Sequence, residues 1–527
     1  GPAAYLDIDA VVAAAVSTGC ELVHPGYGFL AENAAFAEAC ETAGLTFLGP
    51  TPESLRLFGD KVAARAHAGA CGVPVPAGTT GPTTAGEAAE FLASLGDGGA
   101  IMIKAVAGGG GRGMRSVTSP TELADAFERC ESEARHAFGD GGLYVEQLLT
   151  GARHIEVLVV GDGRGGVAVL GERECSVQRL RQKLLEIAPA PGLPDDVRRA
   201  LHGHAAELAR RVSYRSLATM EFLVAGETIA FLETNARIQV EHTVTEAVFG
   251  VDLVAVQLAI AGGELVLDAL PDRPAGVAAQ ARINLERIDA DGTARPSGGR
   301  LTTFSMPSGP GIRVDSYGAT GYVTNPRYDS LIAKVIAHAP ADDPAVALRR
   351  LARALAGTDI VGADTTAGIL AVVAAEPAVA EGRTSTTWFE ENAAELLDRV
   401  AMAPVVSSAQ AGEQVDGANP LAVLDLGRDA LVGAGGPPAP GTAGSGVVAP
   451  LQGTVIAIDV QVGDEVAAGQ QVAVMEAMKM EHVILAEFDG VVRAVGVEVG
   501  AAVFEGHLLA DVEPADVSVT TIHPGGI

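Results

Sequence analysis

The sequence predicts a protein of α/β and α+β domains that ends in a small all-β barrel. Three observations support this: a length of 527 residues, a hydrophobic content of 48% with only 4% aromatic residues, and an internal duplication near the C-terminal end. A chain of this length holds several domains at roughly 100–200 residues each. Abundant small aliphatic residues are typical of soluble α/β cores packed on Ala, Val, Leu and Ile.

Charge and cysteine content exclude several classes of function. The formal net charge of −30 argues against nucleic acid and anionic membrane surfaces as partners. The five cysteines are scattered without a C-x-x-C pair, which argues against a disulfide scaffold or a cysteine zinc site and favours a reducing, cytoplasmic compartment. No run of about 20 apolar residues predicts a membrane span, and no signal peptide is recognised.

The N-terminal part of the chain alternates helix and strand signals. An alanine-rich helix is predicted at 8–18, and the strand Leu22-Val23 leads into a His-Pro-Gly-Tyr-Gly loop at 24–28. A second helix near 32–43 precedes a short strand at 46–48. This alternation predicts a parallel sheet with binding loops at the ends of its strands.

A glycine run follows an apolar strand predicted at 101–103. It begins with Lys104, includes Gly108 to Gly111 and continues with Arg112. Glycines let backbone N–H groups approach phosphate oxygens, and the lysine supplies a positive charge. The run lacks the Lys-Ser/Thr of a Walker A motif. A flexible loop is the alternative, but strand, lysine, glycines and arginine together favour nucleotide phosphates.

Two carboxylates and an amide are predicted to meet on adjacent strands. Glu221 lies in one strand signal, Glu233 and Asn235 lie in the next, and a turn at 225–227 separates them. Carboxylate and amide oxygens suit an Mg²⁺ ion that bridges phosphates. Solvent-exposed carboxylates at strand ends are an equally good interpretation of this segment alone.

The segment that follows is a candidate anion site. If it is extended, Arg237, Gln239 and Glu241 lie on one face. A cation, an amide and a carboxylate together can hold a small anion and remove its proton. His242 would point to the other face and is interpreted as structural.

A charge-dense segment runs from Glu172 to Lys183. By itself it predicts a solvated surface strand. Cys175 lies within this segment, and no feature around it supports a role as a nucleophile.

The C-terminal part of the chain is duplicated. Gly453-Thr-Val-Ile recurs as Gly490-Val-Val-Arg, 37 residues later. Two short β units related in this way can close into a small barrel, with the seam turned out as a hairpin. Lys479 lies at this seam between two methionines, where a side chain is placed to be modified rather than to pack a core. The glycine- and proline-rich stretch 433–446 before the barrel predicts a flexible linker.

Lysine is rare in this chain. The five lysines are Lys61, Lys104, Lys183, Lys334 and Lys479. Genome composition accounts for the general scarcity, but it does not explain why four of the five fall within recognisable motifs. A compact ammonium group or an acylable amine cannot be replaced by a guanidinium group.

Together these segments resemble the biotin carboxylase branch of the ATP-grasp superfamily over about residues 5–395. The motifs that carry the resemblance are 24–33, 59–61, 104–114, 172–183, 188–191, 233–246 and 328–330. The sequence Ala-Met-Lys-Met at 477–480 resembles the attachment site of biotin carboxyl carrier domains. The whole arrangement is similar to the α subunit of an acetyl- or propionyl-CoA carboxylase.

The resemblance implies six segments and a departure at the N-terminal end. The segments are a partial N-terminal biotin carboxylase domain (1–58), an ATP-grasp domain (59–265), a C-terminal biotin carboxylase domain (266–395), a linker (396–446), a biotinyl barrel (447–514) and a tail (515–527). The family's first strand and helix, joined by Asn-Arg-Gly-Glu-Ile-Ala, are missing. Many relatives use this region to dimerise. Both ends look cut, so the chain is interpreted as part of a longer polypeptide.

The resemblance also assigns roles to residues. Those implied to contact ATP are Lys61, Lys104, Gly109, Gly110, Glu146, His154, Gln178, Glu221 and Glu233. Mg²⁺, with Mn²⁺ as an alternative ion, would be held by Glu221, Glu233 and Asn235. Bicarbonate would contact Lys183, Arg237, Gln239, Val240 and Glu241. The implied catalytic residues are Glu241 as the base, Lys183, Arg237, and Arg313, which would stabilise the biotin enolate.

Four positions depart from the family pattern. Arg181 stands where the family often has a histidine near the nucleotide ribose, and Leu180 replaces an arginine. Gln147 replaces a common lysine beside the adenine, and Thr243 replaces a proline. These changes leave the phosphate and bicarbonate groups intact and are expected to affect nucleotide affinity.

The activity implied by the resemblance is ATP- and bicarbonate-dependent carboxylation of biotin on Lys479, the first half-reaction of an acyl-CoA carboxylase. The implied partners are a carboxyltransferase, either a separate β subunit or a fused domain, a biotin protein ligase and further copies of the chain. Two alternatives stay open: a different ATP-grasp ligase with a lipoyl-like barrel, and an inactive carrier or assembly scaffold. Lipoyl sites usually read Asp-Lys-Ala, so the flanking methionines favour biotin.

Overall fold

The computed structural model describes residues 2–79, 81–96, 98–106, 113–264, 267–289, 292–402, 446–477 and 480–514. The chain divides into two compact units, 1–403 and 404–527. Gly109, Gly110 and Lys479 lie outside the described residues, as do most of the predicted linker and the predicted tail.

The first unit opens with a small α/β layer. Its elements are a 3₁₀ turn (Pro2–Tyr5), α1 (Ile8–Ser17), β1 (Leu22–Val23), α2 (Ala34–Thr42), β2 (Thr46–Phe47), α3 (Pro52–Gly59) and α4 (Lys61–Ala70). β1 and β2 pair in parallel, with Leu22 opposite Thr46, as the alternating signals predict. Asp7, Asn33 and Thr51 begin three of the helices by accepting a hydrogen bond from the backbone N–H three residues later.

A three-stranded antiparallel sheet follows. Its elements are α5 (Ala85–Ser94), β3 (Ile101–Ala105), β4 (Met114–Val117), a 3₁₀ turn (Pro120–Glu122), α6 (Leu123–Phe138) and β5 (Leu143–Gln147). β3 lies between β4 and β5, and Ile101 and Ile103 are buried in one hydrophobic cluster with residues of α5 and α6. Because the glycine run joins β3 to β4, this sheet positions Lys104 at the start of the run.

The described residues from 153 to 402 form twelve strands and seven helices. The strands are β6 (Arg153–Asp162), β7 (Val167–Arg179), β8 (Gln182–Ala188), β9 (Arg215–Ala225), β10 (Thr228–Asn235), β11 (Val277–Asn284), β12 (Glu286–Ile288), β13 (Ala294–Pro296), β14 (Thr303–Ser305), β15 (Ile312–Ser316), β16 (Leu331–Ala339) and β17 (Asp359–Val361). The helices are α7 (Asp195–Arg210), α8 (His242–Phe249), α9 (Leu253–Ala261), α10 (Pro344–Ala356), α11 (Ala367–Ala374), α12 (Pro377–Ala380) and α13 (Trp388–Met402), with a 3₁₀ turn at Leu267–Ala269.

Eight of these strands form one antiparallel sheet in the order β10-β9-β6-β7-β8-β11-β16-β15. The two faces of β6 enter different cores, because side chains alternate along a strand. Ile155 and Val157 belong to the core that includes α7, whereas Leu158 and Val160 belong to the core that includes α8 and α9. The domain boundary predicted at 265/266 divides the chain within this continuous sheet and stays a prediction.

Strand pairing corrects one expectation and confirms another. β7 lies inside the sheet between β6 and β8, and the segment from Glu172 to Arg179 is buried. The prediction of a solvated surface strand was therefore wrong. β9 and β10 form the predicted hairpin, in which Glu233 pairs with Glu221.

In the described part of the chain no single helix is long and apolar enough to cross a membrane. The helices α8 and α9 reach the required length and apolar character only when they are taken together, and the chain bends by 91° between them.

The second unit is a barrel of two four-stranded sheets. Its strands are β18 (Gly446–Val448), β19 (Gly453–Ile458), β20 (Glu465–Val466), β21 (Gln471–Ala477), β22 (Met480–Leu485), β23 (Gly490–Val495), β24 (Ala502–Val503) and β25 (Leu508–Pro514). The sheet orders are β18-β25-β23-β20 and β22-β21-β19-β24, so the duplication maps one sheet onto the other. Gly453 pairs with Val503, and the equivalent Gly490 pairs with Val466. β21 and β22 form the hairpin predicted at the seam.

Candidate active site

A cluster of buried charges lies on the eight-stranded sheet, with Lys183 at its centre. The Lys183 Nζ atom, on β8, donates to Glu241 Oε1 at 2.7 Å and to Glu221 Oε1 at 2.9 Å, and it also contacts Glu156. The three carboxylates come from β6, from β9 and from the segment before α8. One ammonium group therefore holds together side chains that lie far apart in the sequence.

Charge pairing sets the ionisation of this cluster. Burial by itself would raise the pKa of Glu241, but Lys183, Arg282 and Arg173 outweigh it and hold this pKa well below its usual value. Burial would lower the pKa of Lys183, but Glu156, Glu221 and Glu241 hold it well above its usual value. Lys183 and Glu241 are therefore both ionised, and their opposite charges compensate each other inside the protein.

The guanidinium group that contacts Glu241 belongs to Arg282 on β11. Its Nη2 donates to Glu241 Oε2 at 2.9 Å, and its Nε donates to Glu186 Oε1 at 2.5 Å. Arg313, which the resemblance assigned to the biotin enolate, lies on the edge strand β15 with 47% of its side chain exposed. It donates to Glu246 Oε2 at 2.7 Å and to Asp315 Oδ1 at 2.8 Å. The structure therefore does not bring Arg313 to Glu241.

The segment between β10 and α8 is not extended as predicted. β10 ends at Asn235, the chain bends, and α8 begins at His242 with Glu241 as its N-cap residue. Gln239 and Glu241 nevertheless reach the same cluster, because the Gln239 Nε2 donates to Glu221 Oε1 at 3.1 Å. The His242 Nδ1 lies 2.6 Å from the Gln239 carbonyl oxygen, a contact within the loop that fits its predicted structural role.

Arg237 is held at the edge of this cluster. Its Nη2 donates to Asn235 Oδ1 at 2.9 Å, and its Nε donates to Glu32 Oε2 at 3.0 Å. Glu32 also accepts the backbone N–H of Ala236 at 3.1 Å. The N-terminal α/β layer therefore contributes a side chain that fixes the start of the loop.

The described residues implied to contact ATP occur in two groups. Lys104 forms an ion pair with Glu146, whose Oε2 also accepts from Arg65 Nη1 at 2.9 Å. Burial is the main cause that lowers the pKa of Lys104. The Lys61 Nζ lies 3.8 Å from Glu233 Oε2. Lys104 and Glu146 therefore lie on the sheet that carries the glycine run, and Lys61 lies beside Glu233 of the eight-stranded sheet.

The other group adjoins the Lys183 cluster. The His154 Nε2 lies 2.9 Å from Glu221 Oε2. Burial would lower the pKa of His154, but Glu221 outweighs it and raises this pKa. Gln178 is buried on β7, where its Nε2 donates to the Cys175 carbonyl oxygen at 3.5 Å. Burial raises the pKa of the Cys175 thiol well above its usual value, which fits its exclusion as a nucleophile.

Oxygen donors for a divalent cation lie on β9 and β10. Glu221 and Glu233 are opposite each other in the hairpin register, and such hard carboxylate donors fit Mg²⁺. Asn235 donates its Nδ2 to Glu221 Oε1 at 2.9 Å, while its Oδ1 accepts from Arg237. A second grouping, His154, Glu156 and Glu221, has ligand atoms within 4.8 Å of one another.

Comparison with known proteins identifies the chain. Family models match along its length: the N-terminal domain of biotin carboxylase (1–55), the ATP-binding domain of the carbamoyl-phosphate synthase L chain (60–268), the C-terminal domain of biotin carboxylase (280–391) and a biotin-requiring enzyme domain (443–512). The biotin-dependent acyl-coenzyme A carboxylase alpha3 subunit of Mycobacterium leprae is 38% identical over 97% of this chain and 89% of that protein. The chain belongs to the biotin carboxylase family.

Two further similarities concern mainly the first unit. Pyruvate carboxylase 1 of Caenorhabditis elegans is 45% identical over 74% of this chain but only 33% of that protein. The biotin carboxylase domain of the Hydrogenobacter thermophilus 2-oxoglutarate carboxylase, solved with MgADP, ADP and bicarbonate, is 39% identical with a TM-score of 0.71, covering 74% of this chain and 86% of that chain. The chain is thus a member of the biotin carboxylase family in which a domain of the kind found in biotin-requiring enzymes follows the biotin carboxylase domains.

Sequence reasoning missed several charged residues of this biotin carboxylase. They are Glu32, Glu156, Arg173, Glu186 and Arg282. Arg173 is 1% exposed, and its Nη2 donates to Gln239 Oε1 at 2.7 Å, which leaves the Gln239 Nε2 for acceptors. For two of them the sequence held a signal. Glu156 and Arg282 are charged residues inside apolar strands, and each follows another polar residue, His154 or Gln280, by two positions, so that both side chains of a pair lie on the same face of the strand.

Two of the departures from the family pattern form the turn between β7 and β8. Leu180 and Arg181 have φ angles of 45° and 65°, which is the left-handed conformation that a two-residue hairpin requires. Arg181 reaches the three-stranded sheet, where its Nη1 donates to the Met114 carbonyl at 3.4 Å. In this biotin carboxylase the turn therefore connects the large sheet to the strand that follows the glycine run.

Proposed function

We propose that this chain carboxylates biotin carried on Lys479, as the first half-reaction of an acyl-CoA carboxylase. The observation that supports it most strongly is the Lys183 cluster, which places Glu241 between Lys183 and Arg282. A carboxylate held ionised by two cations can accept a proton while the anion that loses it is bound by the same cations.

The proposed steps use this chain's own groups. Lys183, Arg237 and the Gln239 amide bind bicarbonate, and Glu241 accepts its proton. The oxygen that loses the proton attacks the γ-phosphorus of ATP, the bond to the β-phosphate oxygen breaks, and ADP leaves with formation of carboxyphosphate. Lys104 and Lys61 offset the phosphate charge. The bond between the carboxyl carbon and the phosphate oxygen of carboxyphosphate then breaks, which gives CO₂ and a phosphate that takes the proton of the biotin ring nitrogen. Lys479 would hold biotin, which would supply the nitrogen that carries the carboxyl group to the acyl-CoA.

The proposed ligands of Mg²⁺ are Glu221 and Glu233. Mg²⁺ prefers carboxylate oxygens and neutralises phosphate charge. Asn235 is a weaker candidate in this arrangement because its oxygen already accepts from Arg237. Binding of a cation by Glu221 would release Lys183 and Gln239, the two groups proposed to bind bicarbonate.

We assign to Arg282 the role that the resemblance gave to Arg313, which is to stabilise the biotin enolate. We expect Arg282→Met to lower the kcat of biotin carboxylation by at least about 100-fold, because a cation beside the reacting groups stabilises the charge that develops there. Arg313→Met is the matched control and should retain kcat within about threefold, since the hydrogen bonds of Arg313 to described residues go to Glu246 and Asp315. Steady-state kinetics with free biotin measure both. A larger loss in the Arg313 variant would restore the original assignment.

An acyl-CoA is favoured over pyruvate as the final acceptor. The similarity to the acyl-CoA carboxylase subunit covers 97% of this chain and so includes the barrel, whereas the pyruvate carboxylase similarity covers 74%. Acetyl-CoA and propionyl-CoA are the proposed substrates. The proposed partners are a carboxyltransferase, a biotin protein ligase that modifies Lys479, and further copies of the chain.

The decisive experiment is bicarbonate-dependent release of ADP from ATP with free biotin as the acceptor. We expect ADP release to require bicarbonate and to be lost when EDTA removes Mg²⁺. The same assay without bicarbonate, followed by restoration with Mg²⁺, provides the controls. ADP release that ignores bicarbonate would favour a different ATP-grasp ligase, and no release under any condition would favour the inactive scaffold.

A further inference from the structure

Lys334 is the one lysine of the five to which no role has been given. It lies on β16 with only 10% of its side chain exposed. Its Nζ donates to the Val240 carbonyl oxygen at 2.8 Å and to Thr243 Oγ1 at 3.4 Å, and it lies 3.3 Å from Asp315 Oδ2. A buried ammonium group thus holds a main-chain carbonyl of the loop that carries Glu241.

The preceding carbonyl of the loop is also held. The Gln239 carbonyl oxygen accepts from the His242 backbone N–H at 3.2 Å and lies 2.6 Å from His242 Nδ1. In a trans peptide the C=O and the N–H point in opposite directions. The backbone N–H groups of Val240 and Glu241 therefore point away from His242 and Lys334. Neither N–H makes a hydrogen bond to any residue that the structure describes.

These two N–H groups stand at the N-terminal end of α8, where a helix favours negative charge. The side chains around them already suit an anion: Glu241 and Gln239 both belong to the cluster centred on Lys183. Backbone donors and a cationic side chain on one anion give short, charge-assisted hydrogen bonds.

We propose that Lys334 is a positioning residue that orients the Val240–Glu241 peptide so that its N–H donates to bicarbonate. The proposal rests on the function proposed above and adds a residue that does not touch the substrate. Lysine suits this position because its compact ammonium fits between a carbonyl, a hydroxyl and a carboxylate, whereas the planar guanidinium of arginine is larger. Asp315 compensates the buried charge, and the carbonyl contact orients the peptide.

Lys334→Met tests the proposal because it keeps the length of the side chain and removes the donor. We expect the KM for bicarbonate to rise about tenfold, as for the loss of one hydrogen bond to a charged group. The KM for ATP should stay within about twofold, because Lys334 contacts no group proposed to bind ATP. kcat at saturating bicarbonate should fall less than about threefold. Steady-state ADP release measures all three.

Asp315→Asn is the matched control. It removes the charge opposite Lys334 but leaves the contact of Lys334 with Val240, so the KM for bicarbonate should stay within about twofold of the wild-type value. If both variants raise this KM equally, the charge pair rather than the peptide contact matters, and the proposal is wrong. An unchanged KM in Lys334→Met also overturns it.

Lys334→Arg is the replacement variant, and the activity of the wild-type protein separates this inference from the proposed function. If Lys334→Met does not fold, as judged by circular dichroism, Lys334→Arg replaces it: the bulkier cation displaces the Val240 carbonyl, and an unchanged KM for bicarbonate overturns the proposal. A wild-type protein without bicarbonate-dependent ADP release would contradict the proposed function and this inference together. An active wild-type protein with an unaffected variant would contradict this inference alone.

Discussion

Replacing Glu241 with glutamine is expected to lower the kcat of bicarbonate-dependent ADP release and of biotin carboxylation by about 10²- to 10⁴-fold, the usual contribution of a general base. Glutamine keeps the shape of the side chain but cannot accept the proton of bicarbonate. Nucleotide affinity should change less than about threefold, because Glu241 contacts Lys183 and Arg282 rather than Lys61 or Lys104. Steady-state kinetics and nucleotide titration measure the two quantities.

Glu246→Gln is the matched control for this experiment. Glu246 lies on α8, the helix that begins directly after Glu241. It also accepts a hydrogen bond from an arginine, Arg313 at 2.7 Å, but the carboxylates that accept from Lys183 are Glu156, Glu221 and Glu241. We expect its kcat to stay within about threefold of the wild-type value. A Glu241→Gln variant that works at the wild-type rate would remove Glu241 from the role of base.

Replacing Lys479 with alanine is expected to abolish covalent biotin on the chain. Biotin is attached to a lysine amine, so protein made together with a biotin protein ligase should lose its avidin signal and the corresponding mass increment. Carboxylation of free biotin should persist, because the proposed site for that reaction lies in the first unit. Intact mass spectrometry and the ADP release assay measure these two effects.

Two variants control the Lys479 experiment. Lys479→Arg keeps the charge without an acylable amine and should also lack biotin. Arg493→Ala removes the other lysine or arginine within residues 446–514 and should leave biotinylation unchanged. An avidin signal that survives in Lys479→Ala would mean that another lysine carries biotin.

Patterns that are local in the sequence predicted much of the fold. The barrel follows from the repeat of Gly453 at Gly490, because a repeated β unit pairs with itself in a fixed register. The β9–β10 hairpin follows from two strand signals separated by a three-residue turn signal, and it places Glu233 opposite Glu221. These predictions succeeded because strand alternation and turn chemistry act over a few residues.

Two predictions that depended on burial or on distant neighbours were wrong. The segment from Glu172 to Arg179 is dense in charge but lies inside the sheet, where buried partners such as Glu156 compensate Arg173 at 2.5 Å. The loop that ends at Glu241 bends instead of extending because α8 begins immediately after it.

The choice between Arg282 and Arg313 also depended on neighbours that are distant in the sequence. Arg282 and Arg313 both lie in strands of the eight-stranded sheet, and either could supply a cation from its sequence alone. The order β8-β11-β16-β15 places Arg282 beside the strand of Lys183 and leaves Arg313 on the edge strand. Strand order is set by packing between distant segments, so no local pattern reveals it.

Motifs and spacing in the sequence were enough to predict the family, the two kinds of fold and the lysine at the seam of the duplication. Those features depend on residue type and short spacing. The pairing of the buried charges, including the contact of Arg282 with Glu241 and of Lys334 with the Val240 carbonyl, became visible in the folded protein. Charge pairing inside a protein depends on burial and on neighbours brought from other strands, and both arise only when the sheet forms.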